Sequence, residues 1–149
     1  MLVLEFTHKT SNKRAEAITK AIDFAWIALM PRVRKPVYIN ITPVRKLAET
    51  QGVYGDCFDE GDREFTIRID VSLPINEMIT TLLHEMVHVQ QYVSRRMIQK
   101  CASEIHWEGV AFSTDVEYDS RPWEIEAHAA EKQMTENYFG QRKHNTKAL

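Results

Sequence analysis

The stretch TTLLHEMVHVQQY, residues 80–92, carries His84 and His88 four positions apart, with Glu85 directly after the first histidine. On a helix, residues four apart lie about 40° round from one another, with Cβ atoms roughly 5–6 Å apart. Two imidazoles placed in that way can hold one zinc ion through bonds of about 2.0–2.1 Å. Glu85 falls about 60° further round, outside easy reach of the same bond set but within reach of a water on the open side of such an ion. A zinc-activated water has a pKa of about 7, and a carboxylate beside it can take its proton as the water attacks a peptide carbonyl.

A catalytic zinc site takes three protein ligands and leaves the fourth position to water. The stretch YDSRPWEIEAH, residues 118–128, offers the third ligand, because Glu124 and Glu126 follow His88 by 36 and 38 residues at the start of another helix. The two glutamates lie about 200° apart on that helix, so only one can face the histidines. Glu124 shares its side with Ala127, small enough to admit a second helix, and with His128, an imidazole able to buttress the site. Glu126 falls nearer Gln133 and Asn137, a polar set that reads as solvent-facing. Both flank the apolar stripe of Trp123, Ala127, Ala130 and Met134, so helical geometry leans to Glu124 and keeps Glu126 in play. Tyr118, just ahead of this helix, is the candidate donor to the oxyanion of an attacked carbonyl, with His106 as runner-up. The competing reading of Tyr118 is a hairpin tyrosine packed on the core.

These residues need elements to position them. Ala15, Ile18, Ile22, Ala25, Trp26 and Leu29 follow helical spacing, so residues 13–30 read as an amphipathic helix, capped by Ser11 or Asn12 and stopped near Pro31. Residues 37–42, VYINIT, and 63–70, REFTIRID, alternate apolar and polar residues as half-buried strands do. Between them QGVYGDCFDEGD, with glycines at 52, 55 and 61, reads as an irregular edge strand and a turn. Ser72 and Pro74 open the histidine helix, which runs to about Arg95 with Leu82, Leu83, Met86, Val87 and Val93 opposite the ligand face. EIHWEG and VAFSTDVEY predict a hairpin, and Pro122 opens a last helix to about Phe139. The outline is an α+β domain over 1–139, with a short, mostly antiparallel three-stranded sheet and a polar, disordered tail at 140–149.

At 149 residues the chain is long enough to bury a core without staples, and a net charge of −2 argues against a protein built mainly to grip nucleic acid. Arg32–Arg34–Lys35, Arg95–Arg96–Lys100 and Arg142–Lys143–Lys147 read as solvated faces. Cys57 and Cys101 form no disulfide framework, and with no signal peptide or membrane span the expectation is a cytoplasmic chain. The same two cysteines with His106 lack the spacing of a second metal set.

HEMVH on one helix with a later ExxA, here Glu124 to Ala127, resembles the gluzincin branch of zinc metallopeptidases. The pairing of HEMVHVQQY with RPWEIEAH is similar to small metallopeptidase-like proteins of phages and prophages, related to minigluzincins and, more distantly, to SprT-like proteins. The specific motifs cover residues 84–92 and 118–128. The resemblance implies a small zincin-like fold, with His84, His88 and Glu124 binding one zinc and Glu85 acting as general base. It also places His128 where gluzincins often keep an acidic residue behind the ligands, and SprT-like proteins use a third histidine where this chain has Glu124.

The leading expectation is therefore a zinc-dependent peptidase acting on peptide or protein substrates. Two other classes compete with it. A non-catalytic metal-binding module descended from such an enzyme would be free to lose Glu85, which this chain keeps. A structural zinc domain would need a fourth protein ligand, from His128 or a cysteine. A SprT-like protease acting on DNA-bound proteins is the variant that would bring nucleic acid in. The strand GVYGDCF could bind an extended substrate by edge pairing, since its glycines leave the backbone accessible.

Overall fold

A computed structural model describes residues 1–147, with side chains up to Gln141. The chain runs β1 (Leu2–Phe6), α1 (Asn12–Leu29), β2 (Val37–Val44), α2 (Leu47–Gln51), β3 (Gly55–Gly61), β4 (Glu64–Asp70), α3 (Ile75–Val93), β5 (Met97–Cys101), β6 (Glu104–Trp107), β7 (Val110–Ser113) and α4 (Pro122–Lys147), with a 3₁₀ turn at Tyr118–Ser120. The class is α+β, as the sequence predicts.

The main sheet differs from its prediction. It has four strands in the order β1-β2-β4-β3, and both β1-β2 and β2-β4 are parallel. Only β3, at the edge, runs antiparallel to its neighbour. The extra strand is LVLEF, whose apolar run is interrupted at Glu5 and does not read as a strand by itself. It pairs through α1 as crossover, with Leu4 opposite Ile39 and Phe6 opposite Ile41. Parallel pairing of distant segments leaves no local signature, which is why alternation alone mistook the sheet for an antiparallel one.

One face of this sheet carries Val37, Ile39, Ile41, Phe65, Ile67 and Ile69, all buried. Over it lies α1, whose N-cap Ser11 accepts a hydrogen bond from the Arg14 backbone N–H at 3.2 Å and whose Ile18, Ala21, Ile22 and Ala25 are fully buried. Each of these isoleucines contributes about 1.5–3 kcal/mol through removal from water. Between α1 and α4 lies α3, also packed on β3 and β4. Leu82, Leu83, Met86 and Val87 fill the core as their positions predict. The edge strand comes very close to α3 at Gly55. A Cβ there would stand 2.8 Å from the Arg68 carbonyl oxygen and 2.9 Å from Thr81 Cγ2, so the position has room only for glycine.

The predicted hairpin is β6-β7, turned at Glu108 and Gly109, both with positive φ. It gains a third strand, β5, and this meander builds a small second core of Met97, Ile105, Trp107 and Trp123. The last helix passes Phe139 and Gly140 and continues to Lys147, so residues 140–147, read from sequence as tail, carry helical backbone. Residues 148–149 and the side chains of Arg142, Lys143 and Lys147 lie outside the described residues. No helix among the described residues is long and apolar enough to cross a membrane.

Candidate metal centre

The helical spacing of His84 and His88 directs both rings from α3 toward the first turn of α4. The two Nε2 atoms stand 3.2 Å apart, and Glu124 Oε1 lies 3.0 Å from the first and 2.8 Å from the second. All three side chains are buried. Of the two candidate glutamates, the fold brings Glu124 to the histidines. Glu126 faces the other way, but it is not the free solvent-facing residue that its polar neighbours predict. Its carboxylate pairs with Arg96, and Oε1 also accepts from Gln91 Nε2 at 3.2 Å. Arg96 is thereby tied within the protein, together with Glu108, rather than presented as part of a basic surface.

Three donor atoms that converge this closely in a buried place must share protons or a cation. Burial works against charging His84, yet Glu124, then Glu131 and Glu85, outweigh it and raise the ring to about 10. His88 is likewise raised against its burial by Glu124 and Glu85. Burial would raise Glu124, but hydrogen bonds from both histidines hold it well below the usual carboxylate range. Two imidazoles and a carboxylate are the donors that a borderline divalent cation such as zinc accepts. Their convergence on one point fits a bound metal ion.

Glu85 lines the same cleft and is 6% exposed. Burial raises it to about 7, with His88 and His84 pulling the other way. A carboxylate poised near neutrality suits proton transfer. The cleft has a volume of about 670 Å³, and its walls include Gly55 and Cys57 of β3 and Tyr92, Met97 and Trp123 on the apolar side.

Tyr118 lies at the mouth of the cleft, 43% exposed rather than packed in the core, with its hydroxyl 3.1 Å from His128 Nε2. Partial burial, Glu124 and Glu85 raise its hydroxyl, so it stays protonated and able to donate. His106 is on β6, 3.2 Å from Glu104, and is not among the cleft residues. Cys57 and Cys101 are free thiols in different places, one in the cleft and one exposed on β5.

Two residues of the site escape sequence reasoning. Glu131, seven positions after Glu124 and so on the same face of α4, puts Oε1 3.4 Å from His84 Nδ1. The geometry falls short of a hydrogen bond, which leaves this buried nitrogen facing a carboxylate without a closed contact. His84, His128 and Glu131 also come within metal-ligand distance of one another. That set requires His84 Nδ1, whose ring already directs Nε2 to Glu124, so Glu131 is better read as an acceptor that orients the ring. The second residue is Gln91, fully buried, whose Oε1 is 2.8 Å from His88 Nδ1. The i,i+3 and i,i+7 spacings are visible in the sequence, but they single out no partner until the two helices are packed together.

No protein-family model, curated protein or solved structure matches this chain, so the reading of the site rests on its own residues.

Proposed function

We propose that this chain is a zinc-dependent peptidase of zincin-like architecture, in line with the gluzincin-like pairing of HEMVH with a downstream ExxA. The observation that carries the reading is the convergence of His84 Nε2, His88 Nε2 and Glu124 Oε1 in a cleft that also holds a buried Glu85. A non-catalytic or purely structural site has no need of that second carboxylate. Zinc is the ion that this donor set favours, one per chain, held by those three residues.

When bound, the metal supplies Lewis-acid polarisation to a peptide carbonyl and to water. Glu85 then takes the proton of the attacking water and returns it to the amine as the peptide bond breaks. The Tyr118 hydroxyl donates to the carbonyl oxygen as negative charge develops there, and His128 holds that hydroxyl in place. The antiparallel edge strand β3 offers its unpaired backbone to an extended peptide, and Gly52 and Gly55 keep the approach open.

Elemental analysis of the purified protein, run beside a peptide-library cleavage assay on wild type and Glu85→Gln, tests this. The expected result is about one zinc per chain in both proteins and cleavage by wild type only. Absence of stoichiometric transition metal after zinc is supplied would refute the metal site. Zinc-loaded wild type that cleaves nothing would make the non-catalytic module the better reading, and an active Glu85→Gln would remove Glu85 as the base.

A further inference from the structure

Three residues after His88, Gln91 is fully buried between α3 and the start of α4. Its Nε2 stands 3.0 Å from the Trp123 carbonyl oxygen and 3.2 Å from Glu126 Oε1. Both of those atoms can only accept, so the amide nitrogen must face them and the amide oxygen must face the His88 ring. That oxygen, 2.8 Å from His88 Nδ1, can itself only accept. The hydrogen therefore sits on Nδ1, and a neutral ring keeps its lone pair on Nε2, the nitrogen that points at His84 and Glu124.

The amide is held in this orientation from outside. Arg96 Nη1 reaches Glu126 Oε1 at 2.8 Å, and Nη2 takes the other oxygen. The same guanidinium donates to Glu108 Oε1 from Nε and Nη2 at 3.0 and 2.8 Å and lies over the Trp107 ring, 4.8 Å from its centroid. A continuous chain of contacts thus runs from the β6-β7 turn through Arg96, Glu126 and Gln91 to a ring at the candidate metal centre.

We infer that Gln91, oriented by Glu126 and Arg96, is a positioning residue that selects the metal-binding tautomer of His88 and ties that ligand to the β5–β7 meander. The inference rests on reading the triad as a metal site. It gives Glu126 a role distinct from that of Glu124: the first acts on the metal only through Gln91, the second by direct ligation. A flipped amide would put N–H against N–H at His88 and oxygen against both the Trp123 carbonyl and the Glu126 carboxylate, three unfavourable contacts for a buried group.

The test uses the full chain as wild type, Gln91→Leu and Glu126→Gln, each loaded with ¹¹³Cd and, separately, with zinc. Cadmium-to-ring-proton couplings report which His88 nitrogen binds, proton exchange reports the protection of Nδ1–H, and chelator competition reports zinc affinity. In wild type, coordination through Nε2 with a slowly exchanging Nδ1–H is expected. Gln91→Leu should lose that protection and weaken zinc by about 10–100-fold, the usual range for an outer partner of a ligand, with Glu126→Gln between the two. A folded Gln91→Leu with wild-type affinity and the same protected Nδ1–H overturns the inference. If Gln91→Leu does not fold, Glu126→Gln decides: weakened zinc and faster Nδ1–H exchange support the inference, and wild-type values overturn it. Wild type that takes up neither metal removes the metal reading and this inference together, whereas failure confined to the variants removes the inference alone.

Discussion

Glu124 and Glu126, two positions apart on α4, meet different partners: the first lies 2.8 Å from His88 Nε2, the second is bound by Arg96 and Gln91. Glu124→Gln should therefore cost far more zinc affinity than Glu126→Gln, because it removes a ligand rather than an outer contact. Chelator competition on the two variants checks the order. A larger loss in Glu126→Gln would reverse the ligand assignment.

Glu85 makes the metal-free fold pH-sensitive. Its ordinary value of 4.5 rises to about 7 on burial, so the folded chain binds a proton that the unfolded chain has released. The sign follows directly: stability falls as pH rises from about 4.5 through 7, by up to roughly 3 kcal/mol from this group. Glu85→Gln removes the charge and should melt higher than wild type at pH 8, with the two curves converging near pH 4.5. Chelated protein followed by thermal melts across that range gives the answer, and equal melting at pH 8 would contradict the burial argument.

The histidines add a second, more alkaline dependence. His84 is raised from 6.5 to about 10 in the absence of metal, so the stability it contributes is complete below pH 6.5 and lost as pH climbs through 10. A bound cation replaces those protons and needs none of them. The melting temperature gained on zinc loading should accordingly widen from pH 6.5 to pH 9. A gain that shrinks over this range would count against His84 as a ligand.

Tyr118→Phe removes only a hydroxyl that stands 3.1 Å from His128 Nε2 at the mouth of the cleft. Metal content and melting should stay near wild type, while turnover of any peptide substrate should fall by about 10²–10³-fold, as when an oxyanion donor is lost. An unchanged kcat would return Tyr118 to an ordinary surface role.

Gly55→Ala tests how tightly β3 is held between β4 and α3. The added methyl would meet the Arg68 carbonyl oxygen of β4 at 2.8 Å and Thr81 Cγ2 of α3 at 2.9 Å, and the β4 backbone cannot swing aside as a side-chain end can. A loss of about 1–3 kcal/mol in denaturant unfolding is the expected outcome. Wild-type stability would mean that the edge strand can shift against β4 and α3 to make room.

Local periodicity along the chain settles part of this structure. Four-residue spacing on α3 puts His84 and His88 on one face, and two-residue alternation in β2 and β4 names the buried side chains, Ile39, Ile41, Phe65, Ile67 and Ile69. The start of α4 could be read from Pro122, and with it the choice narrowed to Glu124 or Glu126. The rest depends on contacts between distant elements. β1 is a strand because Leu2–Phe6 finds β2 across α1, a pairing between segments some 35 residues apart that no short window contains. Glu131, Gln91 and Arg96 belong to the site because α3, α4 and the meander meet there, and Arg96 draws Glu126 away from the solvent that its own helix face predicts. Periodicity tells each element which side to bury, but which polar contacts close there waits on the packing: even Gln91, on the same helix as His88, is oriented by Trp123 and Glu126 of α4.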